Sequence, residues 1–218
     1  MKIVLDHVTK TIKGVDVLMD ISMTLESGKI VGFRGVNGSG KTMLMRMISG
    51  LIRPTKGTVT IDGKVLGKDL SFPPSIGTLI ENPAFLDGYS GFENLKVLAS
   101  IRNRVSDSDI RETIIRVGLD SENKKAFKKY SLGMKQRLGI AAAILEHPDL
   151  ILLDEPTNAL DVDGVEMVQN VIQQEKERGA LILLSCHDPQ VLNSLADEIY
   201  HIQEGRLISH RDKEGTSL

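Results

Sequence analysis

The chain has 218 residues, 41% of them hydrophobic, with 27 Lys and Arg against 29 Asp and Glu, a formal net charge of −2 and one cysteine. That length supports one α/β domain with a sizeable core and leaves no comfortable room for a second full domain, while a balanced charge offers no long-range pull toward polyanions and argues against nucleic acid. The lone Cys186 excludes an intrachain disulfide, and no paired Cys/His spacing suggests zinc, so a reducing compartment such as the cytoplasm is expected. Residues 1–5 lack the charged flank and apolar block of a secretion signal, and so are expected in the mature chain. The apolar runs 140–145 and 181–184 fall far short of the ~20 residues of a membrane-spanning helix. Any membrane role therefore requires a partner.

In chain order, residues 3–8 and 17–25 alternate like strands, and 58–65 carries an Asp62-Gly63 hairpin signal, giving the N-terminal part an antiparallel character. Residues 29–33 predict a strand that runs into a glycine-rich turn, followed by a helix over 42–51 and a stop at Gly50 to Pro54. The stretch 92–117 has helical periodicity, with Asp107 and Asp109 as capping candidates for its second helix. Helix (134–147), strand (150–154), helix (164–178), strand (180–185) and a helix from Pro189 then alternate, which argues for parallel strands joined by crossover helices. The Lys124, Lys125, Lys128 and Lys129 run reads as a solvated helix face.

Gly35-Val36-Asn37-Gly38-Ser39-Gly40-Lys41-Thr42 fits a phosphate-binding P-loop, and it lies between a predicted strand and a predicted helix as that chemistry requires. Its glycines let successive N–H groups converge on phosphate oxygens at a helix N-terminus. Lys41 supplies a point charge for the β- and γ-phosphates, and Thr42 a hydroxyl for Mg²⁺. Downstream, the apolar run Leu150-Ile151-Leu152-Leu153 ends in Asp154-Glu155. A buried strand delivers such a pair to the carboxyl edge of a sheet, where its two side chains face opposite ways and can divide labour. Asp154 then serves the Mg²⁺ shell and Glu155 the attacking water. Taken alone, the pair is equally an acidic cap on the turn at Pro156.

A short helix upstream of those carboxylates stands Tyr130-Ser131-Leu132-Gly133-Met134-Lys135-Gln136-Arg137, and after them Asn158-Ala159-Leu160-Asp161 and His187. In this order the motifs resemble the signature, D-loop and switch histidine of the ABC ATPase family, and the resemblance covers essentially the whole chain. It implies an α/β P-loop NTPase fold of one domain, residues 1–218, with a mixed sheet core, an N-terminal antiparallel β part and a small helical lobe near 87–140. It also implies ATP hydrolysis with Mg²⁺, with Glu155 as base and His187 on the γ-phosphate. Ser131 and Gly133 are expected to complete the site of a second copy in a head-to-tail homodimer, with Asp161 in the D-loop. Without the family, residues 130–137 are simply a capped helix start, and His187 a helix-start residue.

The chain departs from the family pattern at three places. Leu132 and Met134 replace the usual first glycine and glutamine of the signature. Glu81, in Thr78-Leu79-Ile80-Glu81-Asn82-Pro83, stands where a nucleotide- and metal-contacting glutamine is usual, and an ionised carboxylate there cannot donate hydrogen bonds. Ile12 occupies the place of the aromatic residue that commonly stacks on adenine. The segment from Ile80 through Phe85 and the altered signature are similar to those of the branch associated with bacitracin and lantibiotic export. That similarity implies a transmembrane permease on a separate chain, a position on the inner face of the cell membrane, and no contact between this chain and the cargo. A soluble ABC ATPase acting on DNA, ribosomes or cofactor assembly is the alternative, although no heptad tract or second cassette is present.

Overall fold

The strands of the protein fall into two sheets whose inner faces share a core. The structure, a computed structural model, describes residues 1–186 and 188–212. The elements are β1 (Lys2–Ile12), β2 (Val15–Glu26), β3 (Ile30–Arg34), α1 (Lys41–Ile48), β4 (Lys56–Ile61), β5 (Lys64–Val65), β6 (Ile76–Leu79), α2 (Gly91–Ser100) and α3 (Asp107–Arg116). After a 3-10 turn at Phe127–Lys129 come α4 (Leu132–Ile144), β7 (Leu150–Asp154), α5 (Val162–Glu177), β8 (Leu181–Ser185), α6 (Pro189–Leu195), β9 (Glu198–Gln203) and β10 (Arg206–Asp212). The first sheet is antiparallel, in the order β2-β1-β4-β5. The second runs β10-β9-β3-β8-β7-β6 and is parallel except for β10 at its edge.

Every residue of β7 and β8 is buried, as expected of parallel strands covered on both faces. Their side chains alternate between two apolar layers. Ile151, Leu153, Ile182 and Leu184 pack with Leu95, Ile110, Leu138 and Val168 of the helices. Leu150, Leu152, Leu181 and Leu183 pack with Ile3 and Leu5 of β1 and with Leu44, Met45 and Ile48 of α1. The parallel sheet is thus the middle layer, with the antiparallel sheet and α1 on one side and the other helices on the opposite side. The architecture is the α/β one with mixed sheets that the sequence implies.

Several local expectations need correction. The cap of α3 is Ser106, not Asp107 or Asp109: the Ser106 hydroxyl accepts from the Asp109 N–H, and the Asp109 carboxylate accepts from the Ser106 N–H. Asp107 instead pairs with Lys96 at 2.7 Å. The four lysines at 124–129 do not share a helix face. Asp120 and Asn123 accept hydrogen bonds from the N–H groups of Glu122 and Lys125, and such local turns compete with helix formation. Helices α4 and α5 begin two residues before their apolar periodicity because Ser131 and Asp161 cap them, leaving Leu132 and Val162 exposed in their first turns. Among the described residues no helix is long and apolar enough to cross a membrane.

Candidate active site

The loop 35–40 leaves the carboxyl end of β3, which lies between β8 and β9 and pairs with both in parallel. Its turn is built for residues without a side chain. A Cβ on Gly35 would lie 2.2 Å from the Ile202 carbonyl oxygen, and Gly40, the N-cap of α1, has φ +112° and lies against Leu18 and the Val17 carbonyl. The β9–β10 turn reinforces the fit, since Gly205 N–H donates to the Ser39 carbonyl and Met19 N–H to the Gly205 carbonyl. Backbone contacts thus fix the loop before any ligand arrives.

Asn37, Gly38, Ser39, Gly40, Lys41 and Thr42 line a cleft of about 460 Å³ together with Asp154 and Glu155. Gly35 and Val36 do not line it, but their carbonyl oxygens accept from the buried Lys41 ammonium at 2.8 and 3.1 Å. Thr42 Oγ1 donates to Asp154 Oδ2 at 2.6 Å, and Ser185 Oγ donates to Asp154 Oδ1. Ser185 also accepts from the Glu155 N–H, at 3.0 Å, while the buried Gln136 donates from Nε2 to the Glu155 carbonyl at 3.0 Å. These bonds hold Glu155 at φ +52°, a backbone region that side-chain-bearing residues enter at a cost and that clusters at functional sites.

The residues suit a nucleotide with a hard cation. Ser39 Oγ lines the cleft, is buried and has no hydrogen-bond partner among the described residues, which leaves a donor for a phosphate oxygen. Thr42 and Asp154 already adjoin, and one hydroxyl plus one carboxylate is a donor set for Mg²⁺, which keeps waters and phosphate oxygens as its other ligands.

Other expected site residues lie elsewhere. Ser131 caps α4, its hydroxyl accepting from the Met134 N–H at 3.2 Å. Ser131, Gly133 and Asp161 line a separate concavity of about 530 Å³, and none of them lines the P-loop cleft. Asp161 caps α5 and pairs with Arg137 at 3.3 Å. Glu81 does not line the cleft either; its carboxylate pairs with Arg46 of α1 at 2.5 Å. Ile12 is also absent from the cleft wall, where Val15 and Val17 lie instead. His187 lies outside the described residues. Ser185 and Gln136 are functional neighbours to which the sequence alone assigns no role. The signal for Ser185 is a hydroxyl ending an otherwise apolar strand; Gln136 carries none apart from its place in the signature helix.

Comparisons with known proteins point to one family. The family described as "ABC transporter" matches residues 18–158. The chain is 52% identical over 201 residues to the Bacillus subtilis protein named "Uncharacterized ABC transporter ATP-binding protein YybJ", covering 92% of each chain. It is 39% identical to "Bacitracin transport ATP-binding protein BcrA" of Enterococcus faecalis, over 93% of this chain and 67% of that one. Its fold matches, with a TM-score of 0.89 and 23% identity, the "Dimeric structure of a post-hydrolysis state of the ATP-binding cassette MJ0796 bound to ADP and Pi", over 98% of this chain and 100% of that chain. With the P-loop, the paired carboxylates and the displaced signature all in the family's order, the chain belongs to the ABC transporter family as an ATP-binding subunit, an ABC-type ATPase.

Proposed function

We propose that this subunit uses Mg²⁺ and ATP to power a permease carried on a separate chain, and that the cargo is a peptide antibiotic or a similar amphiphile moved outward. The observation that carries the ATPase part is the Thr42–Asp154–Ser185 relay beside Glu155 at the floor of the P-loop cleft. The cargo part is supported by the likeness to the bacitracin protein and by the segment Ile80 through Phe85.

On ATP binding, the Lys41 ammonium exchanges its loop carbonyls for phosphate oxygens, and Ser39 and the loop N–H groups take the remaining lone pairs. Thr42 and Asp154 would hold Mg²⁺, which neutralises charge on the phosphates. Glu155, fixed by Ser185 and Gln136 through its backbone, orients the attacking water and accepts its proton. His187, two residues beyond β8 in sequence, would steady that water. Ser131 and Gly133 face the γ-phosphate of a second copy, head to tail. This assignment is supported by their separation from the cleft within one chain and by the exposed Leu132 and Val162, which border the same concavities as Gly133 and Asp161. The assembly would sit on the inner face of the membrane.

Co-purification from native membranes under mild detergent tests the transporter reading. Recovery of an integral membrane protein in fixed stoichiometry is the expected outcome, and recovery only with ribosomes or DNA would refute it.

A further inference from the structure

The Arg46–Glu81 ion pair joins the P-loop helix to the chain leaving β6. Arg46 lies four residues after Thr42 on α1, so the two side chains share a face one turn apart. Glu81 arrives at the same sheet edge as the catalytic carboxylates, because β6 runs parallel to β7 with Leu79 level with Leu153. Two residues beyond that register, Glu81 turns at φ +65° and its carboxylate meets the Arg46 guanidinium at 2.5 Å. Thr42, in turn, bonds Asp154 at 2.6 Å. The partner that holds the Glu81 carboxylate thus sits one helical turn along α1 from Thr42, and the carboxylate stays off the wall of the cleft that Thr42 and Asp154 line.

We propose that Arg46 is a positioning residue for Glu81, holding its carboxylate back from Thr42 and Asp154 and competing with the bound metal for it. This rests on the reading of Thr42 and Asp154 as metal ligands. The device depends on the carboxylate. A neutral amide at position 81 would pair only weakly with a guanidinium, whereas an anion is attracted both to Arg46 and to a divalent cation held at Thr42 and Asp154. Both side chains are partly exposed, at 32% and 58%, so the pair is weak enough to exchange and sensitive to salt.

The test is Mn²⁺ binding to the protein with a non-hydrolysable ATP analogue, followed by electron paramagnetic resonance. Arg46→Gln should tighten Mn²⁺ binding about two- to fivefold, the range an exposed ion pair allows, and Arg46→Lys should restore most of the wild-type value. In a Glu81→Gln background Arg46→Gln should change nothing, and the single-variant effect should shrink as salt is raised. Thermal denaturation monitors folding alongside. Unchanged Mn²⁺ affinity in a folded Arg46→Gln variant, or an equal change with Gln at position 81, overturns the proposal. Asp154→Asn separates the two readings: if it leaves Mn²⁺ affinity intact, the metal site is misplaced and the inference falls with it. If it weakens Mn²⁺ while Arg46→Gln does nothing, only the role of Arg46 is lost.

Discussion

At the scale of single residues, the cleft is a set of donors awaiting an anion and a carboxylate held by two hydroxyls. Lys41→Ala removes the one flexible cation from a loop otherwise built of backbone dipoles, and ATP affinity by calorimetry should fall by at least tenfold in the folded variant. Ser185 is 0% exposed and serves both Asp154 and the Glu155 N–H, so Ser185→Ala should lower stability by about 1.5–3 kcal/mol, read by thermal or urea denaturation. Base choice should be loose. Among the described residues no aromatic ring lines the cleft, and Val15 and Val17 offer apolar surface without a π face, so ATP and GTP should differ by less than a hundredfold in titration. The P-loop and the carboxylate pair were legible because their chemistry is local, a few consecutive residues at a strand end. The partners of Asp154 and Glu155 were not, since Ser185 is 31 residues from Asp154 and Gln136 is 19 from Glu155 and only tertiary packing brings them in.

At the scale of elements, α2 and α3 both open with reciprocal capping boxes, Ser90 with Glu93 and Ser106 with Asp109. Ser90→Ala should cost about 1 kcal/mol of stability. The N–H and hydroxyl of each capping serine hold the Glu93 and Asp109 carboxyls below their ordinary values. A lowered folded-state value stabilises above the unfolded value and is lost as pH falls through the folded one. The melting temperature of wild type should therefore exceed that of a Glu93→Gln/Asp109→Asn double variant at neutral pH, and the gap should close as pH drops below about 4. A gap that is constant with pH would contradict this. The central strands were legible from unbroken apolar runs. β6, β9 and β10 were not anticipated. Gly77 interrupts the four residues of β6, Glu198 and His201 interleave polar groups through β9, whose partner β3 lies far along the chain, and the edge strand β10, its hairpin neighbour, is polar at Arg206, Ser209 and Arg211.

At the scale of the whole molecule, the fold keeps apart two sets of residues that the proposed head-to-tail dimer would join: a cleft holding Lys41, Thr42, Asp154 and Glu155, and a concavity holding Ser131, Gly133 and Asp161. Resemblance to a family could predict that separation; periodicity and composition could not, because a composite site is a property of two chains. Removing the base should part binding from hydrolysis and let the ATP-bound pair accumulate. Light scattering of Glu155→Gln with Mg-ATP, at raised protein concentration and alongside a turnover assay, measures both. The account predicts turnover reduced about 10²–10⁴-fold, a dimer that forms only with nucleotide, and loss of that dimer on adding Ser131→Arg. A Glu155→Gln protein that hydrolyses ATP at the wild-type rate, or stays monomeric with ATP bound at high concentration, would contradict it.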